Sequence, residues 1–230
     1  IHTMDEGNRV VVGDVLVRDG VIRRVGAELQ AADGIAEIDA DGRPLTPAFF
    51  AGVAATGLAD VGAVDDSVDS RLRELYTGLM HPEFDVRVAY NPNSAVVPVT
   101  RVEGFGFVLL SADAGDRSFA GSGGLVRLDG GYDSFEGGRV VFLDLTGRSA
   151  DAVGGSRAAH WMLLRQAFDE LAIEEPDDLE LISAAGQRAL REAIKGALDG
   201  AGIEIPFPQR TIWVRRDAES VGDDPLTDAP

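Results

Sequence analysis

The chain has 230 residues, 39 acidic against 21 basic, and a net charge of −18. Such a surface repels phosphate backbones and argues against a nucleic-acid partner. The absence of cysteine excludes disulfides, thiolate metal sites and a cysteine nucleophile, and no apolar run reaches the roughly 18 residues that a membrane span needs.

The N-terminal part reads as β-rich. Residues 10–12, 15–17 and 21–22 are short β-branched runs, and Asp19-Gly20 between the last two is a strong hairpin signal. Residues 36–39 alternate like a further strand before the Asp41-Gly42 turn. Residues 48–58 are apolar but too rich in glycine and alanine to assign to strand or helix. Residues 59–75 are acidic and read as a solvated loop with a helix start. From 84 to 145 the pattern is again β-like, with strands expected at 86–89, 96–99, 105–110, 125–128 and 140–145, punctuated by Asn91-Pro92-Asn93 and Asp129-Gly130-Gly131.

The character changes after Gly155. A helix is expected over 157–171, with Ser156 as N-cap and Trp161, Leu164, Phe168 and Leu171 on its apolar face. Residues 174–178 form a charged linker. A second helix is expected over 184–198, with Leu190, Ile194 and Leu198 on one face and Gly200 at its end. Short strands at 203–205 and 211–214 flank Pro206-Phe207-Pro208, and a polar tail from Asp217 is expected to be disordered.

Three groups of residues invite a chemical reading. Asp60, Asp65, Asp66 and Asp69 cluster as calcium or magnesium ligands do, but their spacing matches no EF-hand and a solvated loop is the plainer reading. Gly121-Ser122-Gly123-Gly124 lacks the Gly-Lys-Ser/Thr ending of a phosphate-binding loop and reads as a flexible turn. Ser156, Arg157 and His160 stand at a helix start, where backbone amides attract anions. They are a candidate anion or substrate contact, against the simpler reading of a capped helix. No catalytic residue is assigned. The histidines are His2, His81 and His160, none paired with another at ligand spacing.

Two family resemblances emerge. Gly13-Asp14-Val15-Leu16-Val17-Arg18-Asp19-Gly20-Val21-Ile22, Val25-Gly26, and Ile38-Asp39-Ala40-Asp41-Gly42-Arg43 with Leu45-Thr46-Pro47 resemble the N-terminal sandwich of amidohydrolases. The family continues Pro-Gly-Leu-Ile-Asp-Ala-His-x-His-x-Gly-Leu. This chain reads Pro47-Ala48-Phe49-Phe50-Ala51-Gly52-Val53-Ala54-Ala55-Thr56-Gly57-Leu58, which puts Val53 and Ala55 where the two histidines stand. Further on, Asn91-Pro92, Val97-Pro98-Val99-Thr100-Arg101-Val102-Glu103-Gly104, and Gly154-Gly155-Ser156-Arg157-Ala158-Ala159-His160-Trp161-Met162 resemble the imidazolonepropionase-like subgroup, which includes exported bacterial members. The resemblance implies metal-dependent hydrolysis of C–N bonds in small or cyclic amides, with zinc or another divalent metal as cofactor. Two imidazoles at i and i+2 on a strand share a side and can chelate that metal, which activates a water. Valine and alanine supply no lone pair, so no metal is expected in this chain.

The second resemblance lies near the C-terminus. Leu190-Arg191-Glu192-Ala193-Ile194-Lys195 and Ala201-Gly202-Ile203-Glu204-Ile205-Pro206-Phe207-Pro208-Gln209-Arg210-Thr211 are similar to the cytoplasmic tail of small-conductance mechanosensitive channels. In those channels the tail helps to assemble a multi-subunit cage.

The expected fold class is α+β. Residues 1–47 form a β-rich sandwich part, 48–186 an incomplete barrel-derived mixed middle, 187–216 a channel-tail-like helix with short strands, and 217–230 a tail. A complete barrel alone takes about 250 residues. The expected function is that of an amidohydrolase-like protein with impaired catalysis and a small-molecule amide as possible substrate. The alternatives are a non-catalytic module that forms homo-oligomers, or a fused or truncated product joined near 186–191. The chain is expected to be soluble. Nothing in the sequence decides between cytoplasm and periplasm.

Overall fold

Asp19 and Gly20 both take left-handed backbone conformations, φ 54° and 72°. That geometry matches the twist of a two-residue hairpin turn. In the computed structural model, which describes residues 1–32, 34–62, 64–72, 80–173, 179 and 181–202, this turn joins β1 (Asp14–Arg18) to β2 (Val21–Gly26) in an antiparallel pair. The strand expected at 10–12 is reduced to a single bridge between His2 and Val10. Residues 36–39 form no strand: their alternation finds no ladder to join.

The larger sheet is mixed, with the order β3-β4-β5-β6. The apolar stretch resolves into β3 (Phe49–Ala54), parallel to β4 (Phe105–Leu110); β5 (Phe119–Arg127) and β6 (Phe135–Leu143) follow antiparallel. The sheet does not close into a barrel among the described residues. With four α-helices also described, the fold class is α+β.

Two expected strands are helical. Residues 96–99 lie in α1 (Val96–Val102). The Ser94 hydroxyl accepts the Val96 amide at 3.3 Å, and Thr100 Oγ1 donates to the Val96 carbonyl at 2.8 Å. Pro98 falls within the first turn, where its missing N–H costs nothing. Residues 86–89 form a 3-10 turn, with the Asp85 carboxylate accepting the Arg87 amide at 3.1 Å.

The glycine run expected as a flexible turn is the buried middle of β5. A Cβ on Gly123 would lie 2.0 Å from the Leu110 carbonyl oxygen, and one on Gly121 2.5 Å from that of Phe84. These positions are glycine because neighbouring backbone passes too close for any side chain.

Two apolar clusters hold the molecule. One packs the sheet, through Val108, Leu110 and Val126, against Leu58, Val86 and Val97. The other joins Met80 and Phe119 to Leu164, Ala167, Ile182 and Leu190. Burying each large side chain stabilises by about 1.5–3 kcal/mol. The helices of the second cluster follow α2 (Gly147–Ala152): α3 (Arg157–Glu170), capped by Ser156, and α4 (Ala184–Gly200), capped by Ser183. The buried face of α3 is rotated from expectation. His160, Leu164, Ala167 and Glu170 point inward, whereas Trp161 is 65% exposed and Phe168 44% exposed, the latter edge-on to Phe119. Small Ala167 lets the helix approach closely, and the Glu170 carboxylate finds amide donors inside.

No described residue before Thr56 is buried. The expected linker at 174–178, the strands at 203–205 and 211–214, and the tail from 217 lie outside the described residues. No helix among the described residues is long and apolar enough to cross a membrane.

Candidate functional site

Parallel strands direct the residues that follow them to one end of the sheet. Beyond the carboxyl ends of β3 and β4, with the end of β6 alongside, lies an open cleft of about 870 Å³. Val53, near the end of β3, and Ala55, just past it, both line the cleft. Facing them are Ser70, Ser111, Asp113, Phe142, Thr146 and Arg148.

The charges in the cleft are arranged by local bonds. Arg71 donates to Asp113 Oδ2 from Nε at 2.9 Å and from Nη2 at 2.7 Å, and the Gly115 amide donates to Oδ1 at 2.9 Å. Burial disfavours the Asp113 carboxylate, but the Gly115 amide and Arg71, helped by the charge of Arg148, outweigh it and hold the pKa below the ordinary value. Asp144, also on the cleft wall, accepts the Thr146 amide at 2.7 Å. Arg148 forms no hydrogen bond or ion pair with a described residue, which leaves its guanidinium available to a bound molecule.

A metal implied by the amidohydrolase resemblance does not fit these residues. Val53 and Ala55 offer no donor, and Asp113 is committed to Arg71 and Gly115. Among the described residues no three His, Asp or Glu side chains are placed to hold an ion.

The other residues singled out from sequence lie elsewhere. None of Ser156, Arg157 and His160 lines the cleft. The Ser156 hydroxyl accepts the Ala159 amide at 3.1 Å, as an N-cap does. Arg157 is exposed, and His160 is 4% exposed with Nε2 buried and unpaired. In the acidic segment, Asp60 accepts a short bond from Ser94, while Asp65 and Asp66 open a 3-10 turn. His81 is buried, its Nδ1 3.3 Å from Glu83 Oε1, and His2 donates its backbone amide to Leu45. Sequence reasoning missed Asp113, Thr146 and Arg148. The signal was positional: they follow β4 and β6 directly, where the loops of an open sheet gather ligands.

The fold is similar to that of a solved amidohydrolase. This solved structure is an amidohydrolase from Thermotoga maritima MSB8, with a TM-score of 0.59 and 16% identity over 88% of this chain. The chain spans 61% of that protein's length. No protein-family model and no curated protein sequence matches the chain.

Proposed function

We propose that this chain is an amidohydrolase-type protein whose cleft binds a small amide-containing molecule and hydrolyses it weakly or not at all. The observation that carries this reading is the position of Val53 and Ala55. They line the cleft at the carboxyl end of β3, where the family's motif places its chelating pair. With apolar groups there, the cleft offers contact surface and no site for an activated water. The hydroxyls of Ser70, Ser111 and Thr146 can pair with an amide, and Arg148 can pair with a carbonyl or carboxylate. The likeness to the Thermotoga maritima amidohydrolase supports the fold part of the reading.

The test is to equilibrate the purified chain with zinc, measure retained metal after gel filtration, and assay small linear and cyclic amides for hydrolysis. The expected result is substoichiometric zinc and no turnover above the blank. Stoichiometric zinc with turnover overturns the reading.

A further inference from the structure

Three charged side chains line the cleft: Asp113, Asp144 and Arg148. Asp113 is satisfied by Arg71 and the Gly115 amide. Asp144 and Arg148 have no charged partner. They stand four residues apart on the segment from β6 into α2, yet form no ion pair with each other or with another described residue. Asp144 Oδ1 accepts the Thr146 amide, which orients the carboxylate, while Oδ2 accepts no bond from a described residue. The same cleft holds an unused hydroxyl. Ser70 is 4% exposed, and its carbonyl accepts the Asp113 amide at 2.7 Å, but its hydroxyl makes no hydrogen bond with a described residue. Buried hydroxyls are normally paired, so this one marks a place for a polar group of a bound molecule.

We infer that the molecule this cleft takes is a zwitterion: a small peptide whose ammonium meets Asp144 and whose carboxylate meets Arg148. This rests on the reading of the cleft as an amide site, and adds the charge at each end of the amide. An unmatched charge favours an opposite charge on the ligand, and a guanidinium can grip a carboxylate with two parallel bonds. The overall charge points the same way. A chain at −18 repels free anions and attracts cations over its whole surface. A zwitterion carries no net charge, so a matched pair of opposite charges in one cleft is what selects it. The Ser70 hydroxyl can then pair with the amide between the two ends. At about 870 Å³ the cleft has room for a dipeptide.

Isothermal titration of the full chain with four forms of one dipeptide tests this: alanyl-alanine, its N-acetyl form, its C-terminal amide, and the form blocked at both ends. Free alanyl-alanine should bind about tenfold or more tightly than the doubly blocked form, with the singly blocked forms between them. Arg148→Gln should weaken alanyl-alanine by about tenfold and leave the C-terminal amide unchanged. Asp144→Asn, which keeps an acceptor for the Thr146 amide, should weaken alanyl-alanine to a similar degree and leave the N-acetyl form unchanged. A mere loss of structure would weaken all four compounds together. Doubly blocked dipeptide that binds as tightly as the free one overturns the inference while leaving the cleft an amide site. Variants that weaken free and blocked forms alike overturn it too. Binding of none of the four removes the amide reading and the zwitterion with it.

Discussion

The Glu170 carboxylate accepts the Ile182 backbone amide at 3.1 Å and the Leu181 amide at 3.0 Å, which ties the end of α3 to the segment leading into α4. Gln187 completes the joint by donating to the Glu170 and Ile173 carbonyls at 2.7 and 2.8 Å. Glu170→Leu leaves buried amides without an acceptor and should cost about 2–4 kcal/mol. Glu170→Gln keeps one acceptor and should cost less. Urea unfolding of both variants checks the order. Equal stability of Glu170→Leu and the parent would contradict it.

Gly123→Ala is a second stability test. Its Cβ would sit 2.0 Å from the Leu110 carbonyl oxygen, against backbone that β4–β5 pairing holds in place. The expected loss is about 3 kcal/mol or more, enough to endanger folding. Gly138→Ala, where nothing lies within 4 Å of the new methyl, should be near neutral. Thermal melts of the pair make the comparison.

Acid should loosen the molecule through Asp85 and Asp113. Burial opposes ionisation of Asp85, but hydrogen bonds from Arg87 and the charges of Arg87 and Arg139 outweigh it, so its folded-state pKa is lowered, as is that of Asp113. A lowered folded-state pKa stabilises fully above the unfolded value near 4, and that stability is lost as pH falls through the folded value. Unfolding free energy should therefore fall below about pH 4. Asp85→Asn should flatten this slope. An unchanged slope would remove Asp85 from the account.

The cleft makes a constructive prediction. Val53→His with Ala55→His puts imidazoles at two positions that line the cleft. The double variant should retain zinc that the parent does not, by at least tenfold in affinity, about 1.4 kcal/mol. Metal analysis after dialysis reads this, and equal zinc in both proteins would refute the placement of the two side chains.

Some of this was legible in the sequence. Asp19-Gly20 specified the hairpin because few other pairs tolerate two left-handed residues. The helices over 157–171 and 184–198 were legible from their spacing and from Ser156. Valine-rich 96–99 was not, because β-propensity reflects packing on a sheet, and this segment packs as a helix instead. The glycine run misled for a related reason: glycine marks both loose turns and the tightest backbone contacts, and only the three-dimensional neighbours tell them apart. The motif frame singled out Val53 and Ala55, and both line the cleft. Arg148 was not singled out, since a lone arginine after a strand has no pattern of its own.

The lack of any buried side chain among the described residues of the β1–β2 hairpin also sets it apart thermodynamically. Residues without a shared core do not melt with the core. Amide protons of β1 and β2 should exchange through openings far smaller than global unfolding, while those of β4 and β5 should wait for the whole core to open. A single transition followed through Trp161 on α3 would then report the core alone, and the hairpin would already be open when that transition begins.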